Sequence, residues 1–411
     1  MKWIRRLLGV VVSIVTLVAC FAIWVAEPWS DQRPMRTWPE TLSTQILGGE
    51  DRASLATTFR NWDKDVPFDR LAAAPRPHAF ERALQPLDVQ SIRYEFQGAN
   101  RSISEYLTRA KAQGILALHG GQVVLEDYRG ETTSESRYHL WSASKSFTGT
   151  IIGMALHEGV IHSLDDPVEK YAKQFEGTAY GEASIRHVMM MSSGVDFFHF
   201  KGFPERNWMY FRIFRLHQNL DDFAGELGRR VPDGTDFNYL ATDTHVLSGV
   251  LRGAYGLRFV DIVQDRLWDR LGIGGDATWS QNVPGSSGVA FGHCCLAARL
   301  IDFAHLGEFY LQNGIWNGHQ LVPDGWVELA GSPNADFQEP TPDSSGYAMQ
   351  FWVPRGYDGE FYGAGAFGQY LWIDMKRKVV VAQLAAQAPQ DLDERERDAA
   401  FRAIASAAQS R

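Results

Sequence analysis

Strand-like segments gather at the two ends of residues 91–411 and helix-like segments fill the space between. This arrangement limits the possible folds more than any other feature of the sequence. "GILALHGGQVVLEDYRG" (114–130) reads as two strands around the tight turn His119-Gly120-Gly121-Gln122. Near the other end, "GYAMQFWVP", "FGQYLWIDM" and "KVVVAQLAAQ" are three more strand-like runs, followed by a helix from about Asp391. Helical spacing marks "SISEYLTRAKAQ" (102–113), "HLWSASKSFTGTIIGMALHEG" (139–159), "SIRHVMMMSSGVDF" (184–197, ended by Gly194), "NYLATDTHVLSGVLRGAYG" (238–256) and "LAARLIDFAHLGEFYLQNG" (296–314). The pattern predicts an α+β domain whose single sheet is built from both ends, with a helical region inserted in the middle.

The 30–90 stretch, rich in Pro, Trp, Arg and Asp, reads as a loop-rich lead-in with little regular structure. Before it, Lys2, Arg5 and Arg6 precede "LLGVVVSIVTLVACFAIWVA", twenty residues without a charge. That run is long enough to span a bilayer, and the positive charges ahead of it predict export of the chain beyond it. Residues 1–29 therefore read as an uncleaved membrane anchor. A lipoprotein box with Cys20 as the lipidated residue is the second reading, and a buried core helix the third. The first two place the domain on the periplasmic side of the inner membrane.

A net charge of −9 without any Lys/Arg block argues against nucleic acid as a partner. Twelve histidines and three cysteines form no zinc-ligand spacing, so neither metal nor cofactor is expected. Adjacency makes Cys294 and Cys295 a poor pair for bridging each other, and they read as small buried residues. The oligomeric state has no signature in the sequence.

"SASK" places Ser142 and Lys145 three residues apart, about 4.5 Å in rise along one face of a helix. A serine hydroxyl becomes a useful nucleophile when a nearby base takes its proton, and a lysine can be that base only when neutral. The apolar run "FTGTIIGMAL" behind Lys145 supplies the desolvation this requires. Capping of the helix end is the alternative for the three serines, and for Ser144 and Ser146 capping and packing are the expected roles.

The wider context resembles the penicillin-recognising serine hydrolases, which include class C β-lactamases, their esterase relatives and the 6-aminohexanoate-dimer hydrolases. Ser142–Gly149 match that family's "SxSKSFTG" setting nearly letter for letter. "VPDGTDFNYLATDTHVLSGVL" puts Tyr239 at the tyrosine motif, and "GAGAFGQYLWIDMKRKVVV" fits the Gly-rich strand from Gly363 onward. "HVMMMSSGVDF" and "WNGHQLVPDGWV" resemble two lesser landmarks, and "FRNWDKDVPFDRL" (59–71) looks like the aminohexanoate-dimer hydrolase branch. The resemblance covers about residues 91–390. It implies a β-lactamase/transpeptidase-like fold: an antiparallel sheet flanked by helices, with an inserted helical subdomain and the active site between them.

By the same resemblance, Ser142 attacks an ester or amide carbonyl while Lys145, helped by Tyr239, accepts its proton. The N–H groups of Ser142 and Ala366 form the oxyanion hole. His293, Gly365 and Asp196 are substrate-contact candidates. His293 suits a pocket wall and a structural histidine equally, whereas a solvated loop is the leading reading for Asp196 and His199. Two departures bear on substrate. Ala241 stands where β-lactamases carry Asn, and Gly363-Ala364-Gly365 replaces Lys-Thr-Gly. Both remove polar groups that hold a β-lactam, so small esters or short linear amides become the expected substrates. An acyltransferase or transpeptidase-type enzyme and a non-catalytic cell-wall ligand-binding module are the rival readings.

Overall fold

The computed structural model describes residues 52–64, 66–197, 203–214, 216–387 and 393–410. The apolar N-terminal run, Cys20 and His199 lie outside them. Among the described residues, the main sheet has eight strands: β1 (Glu81–Arg82), β2 (Ala112–His119), β3 (Gln122–Tyr128), β4 (Gly346–Tyr347), β5 (Trp352–Val353), β6 (Glu360–Gly365), β7 (Gln369–Asp374) and β8 (Val379–Ala385). Their order is β4-β5-β6-β7-β8-β2-β3-β1, so strands from both ends of the domain meet at the β8–β2 pair as expected. Neighbours run antiparallel except β1 beside β3. The β2–β3 turn uses Gly120 and Gly121 at φ 58° and 75°, which glycine adopts without steric cost.

These strands read as continuous apolar runs because both faces of the sheet are covered. Along β8, Val379 and Val381 join one buried cluster with Phe401, Ile404 and Ala405 of the C-terminal helix. Val380, Ala382 and Leu384 join the opposite cluster with Phe303, Leu306 and Phe309. β7 repeats the alternation, with Tyr370 and Trp372 on one side and Leu371 and Ile373 on the other. The helix that supplies Phe303 to the second cluster is Leu300–Leu311, and the C-terminal one is Glu394–Gln409, capped by Asp393. Between β3 and β4 lies the helical region. There α2 (Ser144–His157), which comes after α1 (Arg52–Arg60), packs against α3 (Ala241–Tyr255). Apart from its last two residues α2 is buried on every side, and its buried threonines find partners, Thr148 Oγ1 donating to Gly292 O at 2.6 Å and Thr150 Oγ1 to Ser146 O at 2.7 Å.

Three expectations change. The lead-in is structured from Arg52: α1 sends Leu55 and Phe59 into the main core. Phe68–Leu71 then pairs with Ala277–Ser280 in a four-stranded sheet that ends at Tyr138–His139. Short elements flanked by Pro and Trp carry too little periodicity to show in the sequence. The helix expected over 184–197 spans only Ile185–Met189; Met191 turns to φ 57° and Ser192 N–H closes onto His187 O at 2.8 Å. Finally, Cys294 and Cys295 are disulfide-bonded to each other. Cys295 adopts φ 86°, and that left-handed turn lets two adjacent side chains meet.

Candidate active site

Ser142 sits in a 3-10 turn, Trp141–Ala143, that runs directly into α2. The neighbouring hydroxyls serve as anchors. Ser144 Oγ donates to Trp141 O at 2.7 Å and accepts from Leu296 N–H at 3.1 Å, while Ser146 Oγ donates to Gln350 O at 2.8 Å. Ser142 is the one of the three that meets the lysine. Lys145 Nζ lies 3.0 Å from Ser142 Oγ and donates to His293 O at 2.9 Å. His293 thus enters the site through its backbone carbonyl, with its side chain buried beside Phe291 and His245.

Lys145 is 2 % exposed, and burial lowers its pKa to about 7, against a smaller upward push from Asp243. An amine in that state is partly neutral near pH 7 and can accept a proton. Tyr239, at the entrance to α3, presents its ring 5.1 Å from Lys145 Nζ. Burial raises its phenol above the ordinary tyrosine range, and a hydrogen bond with Ser142 works the other way. The phenol therefore stays neutral and is placed to act as a hydrogen-bonding group beside the serine, while the Lys145 amine is the group brought toward neutrality.

β6 comes up against the turn that carries Ser142. A Cβ on Gly365 would stand 2.1 Å from Leu140 O, so only glycine permits this approach. Ala366 comes next, exposed at the strand end, and Phe367 adopts φ 64°. Trp141, just before Ser142, has φ 52°. Left-handed backbone at a non-glycine residue costs roughly 1–2 kcal/mol, and here it flanks both residues expected to donate to the oxyanion. Asp196 stands apart: it is exposed, and its N–H donates to Gly228 O at 2.8 Å. Among the described residues no cluster of His, Cys, Asp or Glu is arranged to hold a metal ion, and no helix is long and apolar enough to cross a membrane.

Residues 99–406 match the family model described as Beta-lactamase. The chain belongs to the beta-lactamase family. It is a serine hydrolase of the β-lactamase/transpeptidase-like fold. The 6-aminohexanoate-dimer hydrolase of Paenarthrobacter ureafaciens is 29% identical over 307 residues, covering 69% of this chain and 75% of that one. A Bacillus anthracis structure provisionally named a 6-aminohexanoate-dimer hydrolase superposes with a TM-score of 0.76 at 21% identity, covering 87% and 94% of the two chains. EstCE1, described as a hydrolase with promiscuous acyltransferase activity, gives 0.59 at 15% identity, covering 74% and 96%. At these identities the two structures show likeness of fold alone.

One residue of this family member has no signal in the sequence. Asp243, one turn beyond Tyr239, is fully buried and accepts from Tyr180 OH at 2.6 Å and Ser193 Oγ at 2.8 Å. Burial raises its pKa to about 7, with the hydrogen bonds and Lys145 pulling the other way. An acid in the first turn of a helix looks, in sequence, like an ordinary partner for the helix dipole. Its burial close enough to Lys145 to act on that residue's charge is a tertiary fact.

Proposed function

We propose that the enzyme cleaves small esters and short linear amides, including oligomers of the 6-aminohexanoate type, through an acyl-enzyme on Ser142. The contact between Lys145 Nζ and Ser142 Oγ, 3.0 Å long and involving an amine with a pKa of about 7, carries this reading. Lys145 takes the serine proton as Oγ attacks the carbonyl carbon. The Ser142 and Ala366 N–H groups hold the oxygen as it becomes negative. The proton then passes from Lys145, by way of the Tyr239 hydroxyl, to the departing amine or alcohol. Water, deprotonated by the same pair, releases the acid and restores the serine.

The residues at two motif positions bear on the substrate preference. Ala241 and the Gly363–Gly365 strand offer neither the amide nor the ammonium that a β-lactam carboxylate and side-chain amide would use. Turnover of p-nitrophenyl acetate, a 6-aminohexanoate dimer and nitrocefin, with intact-mass spectra of each mixture, tests the reading. The expected result is an acyl adduct on Ser142 with kcat/KM favouring ester or linear amide; a nitrocefin preference overturns the substrate assignment. The charged N-terminus and the uncharged run behind it further support an exported, membrane-tethered enzyme, tested by protease access in spheroplasts.

A further inference from the structure

Phe59 and Trp62 belong to the lead-in, upstream of the stretch that matches the family. Both rings are buried. Phe59 lies 5.5 Å edge-on from Trp141 and 4.9 Å from Phe367, and these two rings are 5.1 Å from each other. Trp62 lies 5.2 Å from Trp141 and 4.2 Å from His139. Its indole N–H donates to Ser280 Oγ at 3.1 Å, which fixes the ring on the small sheet. Two charged pairs moor the segment, Arg60 to Glu131 at 2.5 Å and Asp63 to Arg137 at 2.8 Å.

Trp141 and Phe367 are the two left-handed residues that flank Ser142 and Ala366. Neither backbone conformation is preferred by its own residue, so something outside the two turns must hold them. The lead-in rings meet both side chains at once. We propose that Phe59, supported by Trp62, is a positioning residue for the reaction: by clamping Trp141 against Phe367 it sets the spacing between the Ser142 and Ala366 N–H groups. The clamp reaches across two separate chain segments, α2's lead turn and the β6–β7 turn. A side chain bridging their aromatic residues is the means by which the two donors keep a common geometry. This proposal rests on the oxyanion roles assigned above.

A thionoester substrate separates this role from a general loss of structure, because sulfur is a poor acceptor of the oxyanion-hole hydrogen bonds. Wild type, Phe59→Leu and Phe59→Tyr are assayed with a matched p-nitrophenyl ester and thionoester, normalised to active sites titrated with a fluorophosphonate. Phe59→Leu is expected to lower kcat for the oxo ester about tenfold, with KM little changed, and to lower the oxo/thiono ratio by a similar factor. Phe59→Tyr, which keeps a ring, should restore most of that ratio. Its acidic pH limb should stay where wild type has it, since Lys145 is untouched. Equal losses on both substrates, leaving the ratio unchanged, overturn the proposal. If Phe59→Leu does not fold, Trp62→Leu is read by the same ratio. Wild type must first show turnover that disappears in Ser142→Ala; absence of that turnover instead refutes the function on which the proposal rests.

Discussion

Lys145 and Arg397 are both long cations removed from water, 2 % and 1 % exposed, yet their surroundings treat them in opposite ways. Around Lys145 burial prevails, and the amine's pKa is brought down to about 7. Burial also works against charge on Arg397, but Tyr362, Asp398 and Tyr370 outweigh it and hold the guanidinium firmly ionised. Its carbon lies 4.1 Å and 4.6 Å from the two tyrosine ring centres, and Nη2 donates to Asp398 at 2.5 Å. Lys145 has a hydroxyl and a carbonyl as partners, neither of which stabilises a charge as a carboxylate does. Burial alone therefore does not mark a reactive group. A buried cation left without a close counter-ion is brought toward neutrality, while one given an acid and two aromatic faces stays charged and braces the packing around it.

Turnover shows the contrast at its largest. Ser142→Ala should reduce hydrolysis to background, and Lys145→Met should lower kcat by about 10² or more. The methionine fills similar space without a charge to desolvate, so unfolding free energy should change by no more than about 1 kcal/mol. Lys145→Arg should not rescue, because a guanidinium stays protonated. Arg397→Met should do the reverse. It leaves buried Asp398 with Arg355, 3.7 Å away, and should cost stability near the low end of the roughly 3–5 kcal/mol seen when a buried pair loses a partner. Its kcat per titrated active site should stay at the wild-type value. Urea melts and active-site-normalised rates for the two methionine variants check both halves. A stable, inactive Arg397→Met would invert the argument.

What the sequence makes legible depends on the range over which each signal acts. Ser142, Lys145 and Tyr239 stand out because a short motif and a motif order are local in sequence, and the structure brings them within contact of one another. The sheet is legible because five strand-like runs stand at the two ends of the domain. Arg397 and Asp243 are hidden for a shared reason: a charged residue in a helix reads as solvated until the packing around it is known. Phe59 and Trp62 fall in the 59–71 stretch that resembles the aminohexanoate-dimer hydrolase branch, but its short elements have no periodicity to declare what the two rings pack against. The Cys294–Cys295 bond depends on one left-handed φ, which the sequence does not announce.

Tyr239→Phe tests the second member of the pair. Its phenol is held neutral, so its loss should remove a proton path and leave the base in place. The expected fall in kcat is about 10², and Lys145→Ala combined with Tyr239→Phe should be little worse than the poorer single variant, because two groups handling one proton fail together. Losses that multiply independently would separate their roles.

The smallest expected effect concerns Asp243, the nearest thing Lys145 has to the acid that Arg397 enjoys. Lys145 must be neutral to act, so kcat/KM should rise with pH through about 7 as the amine gives up its proton. Asp243 pushes that pKa upward, and so keeps some of the enzyme in the inactive, protonated form. Asp243→Asn retains an oxygen to accept from Tyr180 and Ser193 and changes shape little, but it removes the negative charge that Asp243, its own pKa raised to about 7, carries toward the top of this range. Burial is then left to act on Lys145 unopposed, and burial lowers it. The acidic limb should accordingly move to lower pH, with the plateau rate nearly preserved. Profiles of kcat/KM for one ester, measured on both proteins from acid to neutral pH, decide the matter. A limb that stays in place would mean that Asp243 carries no charge over this range, and a limb that moves upward would mean that the titrating group is not Lys145. In the latter case the contrast with Arg397 would lose its chemical meaning, since the buried lysine would be a strut as well.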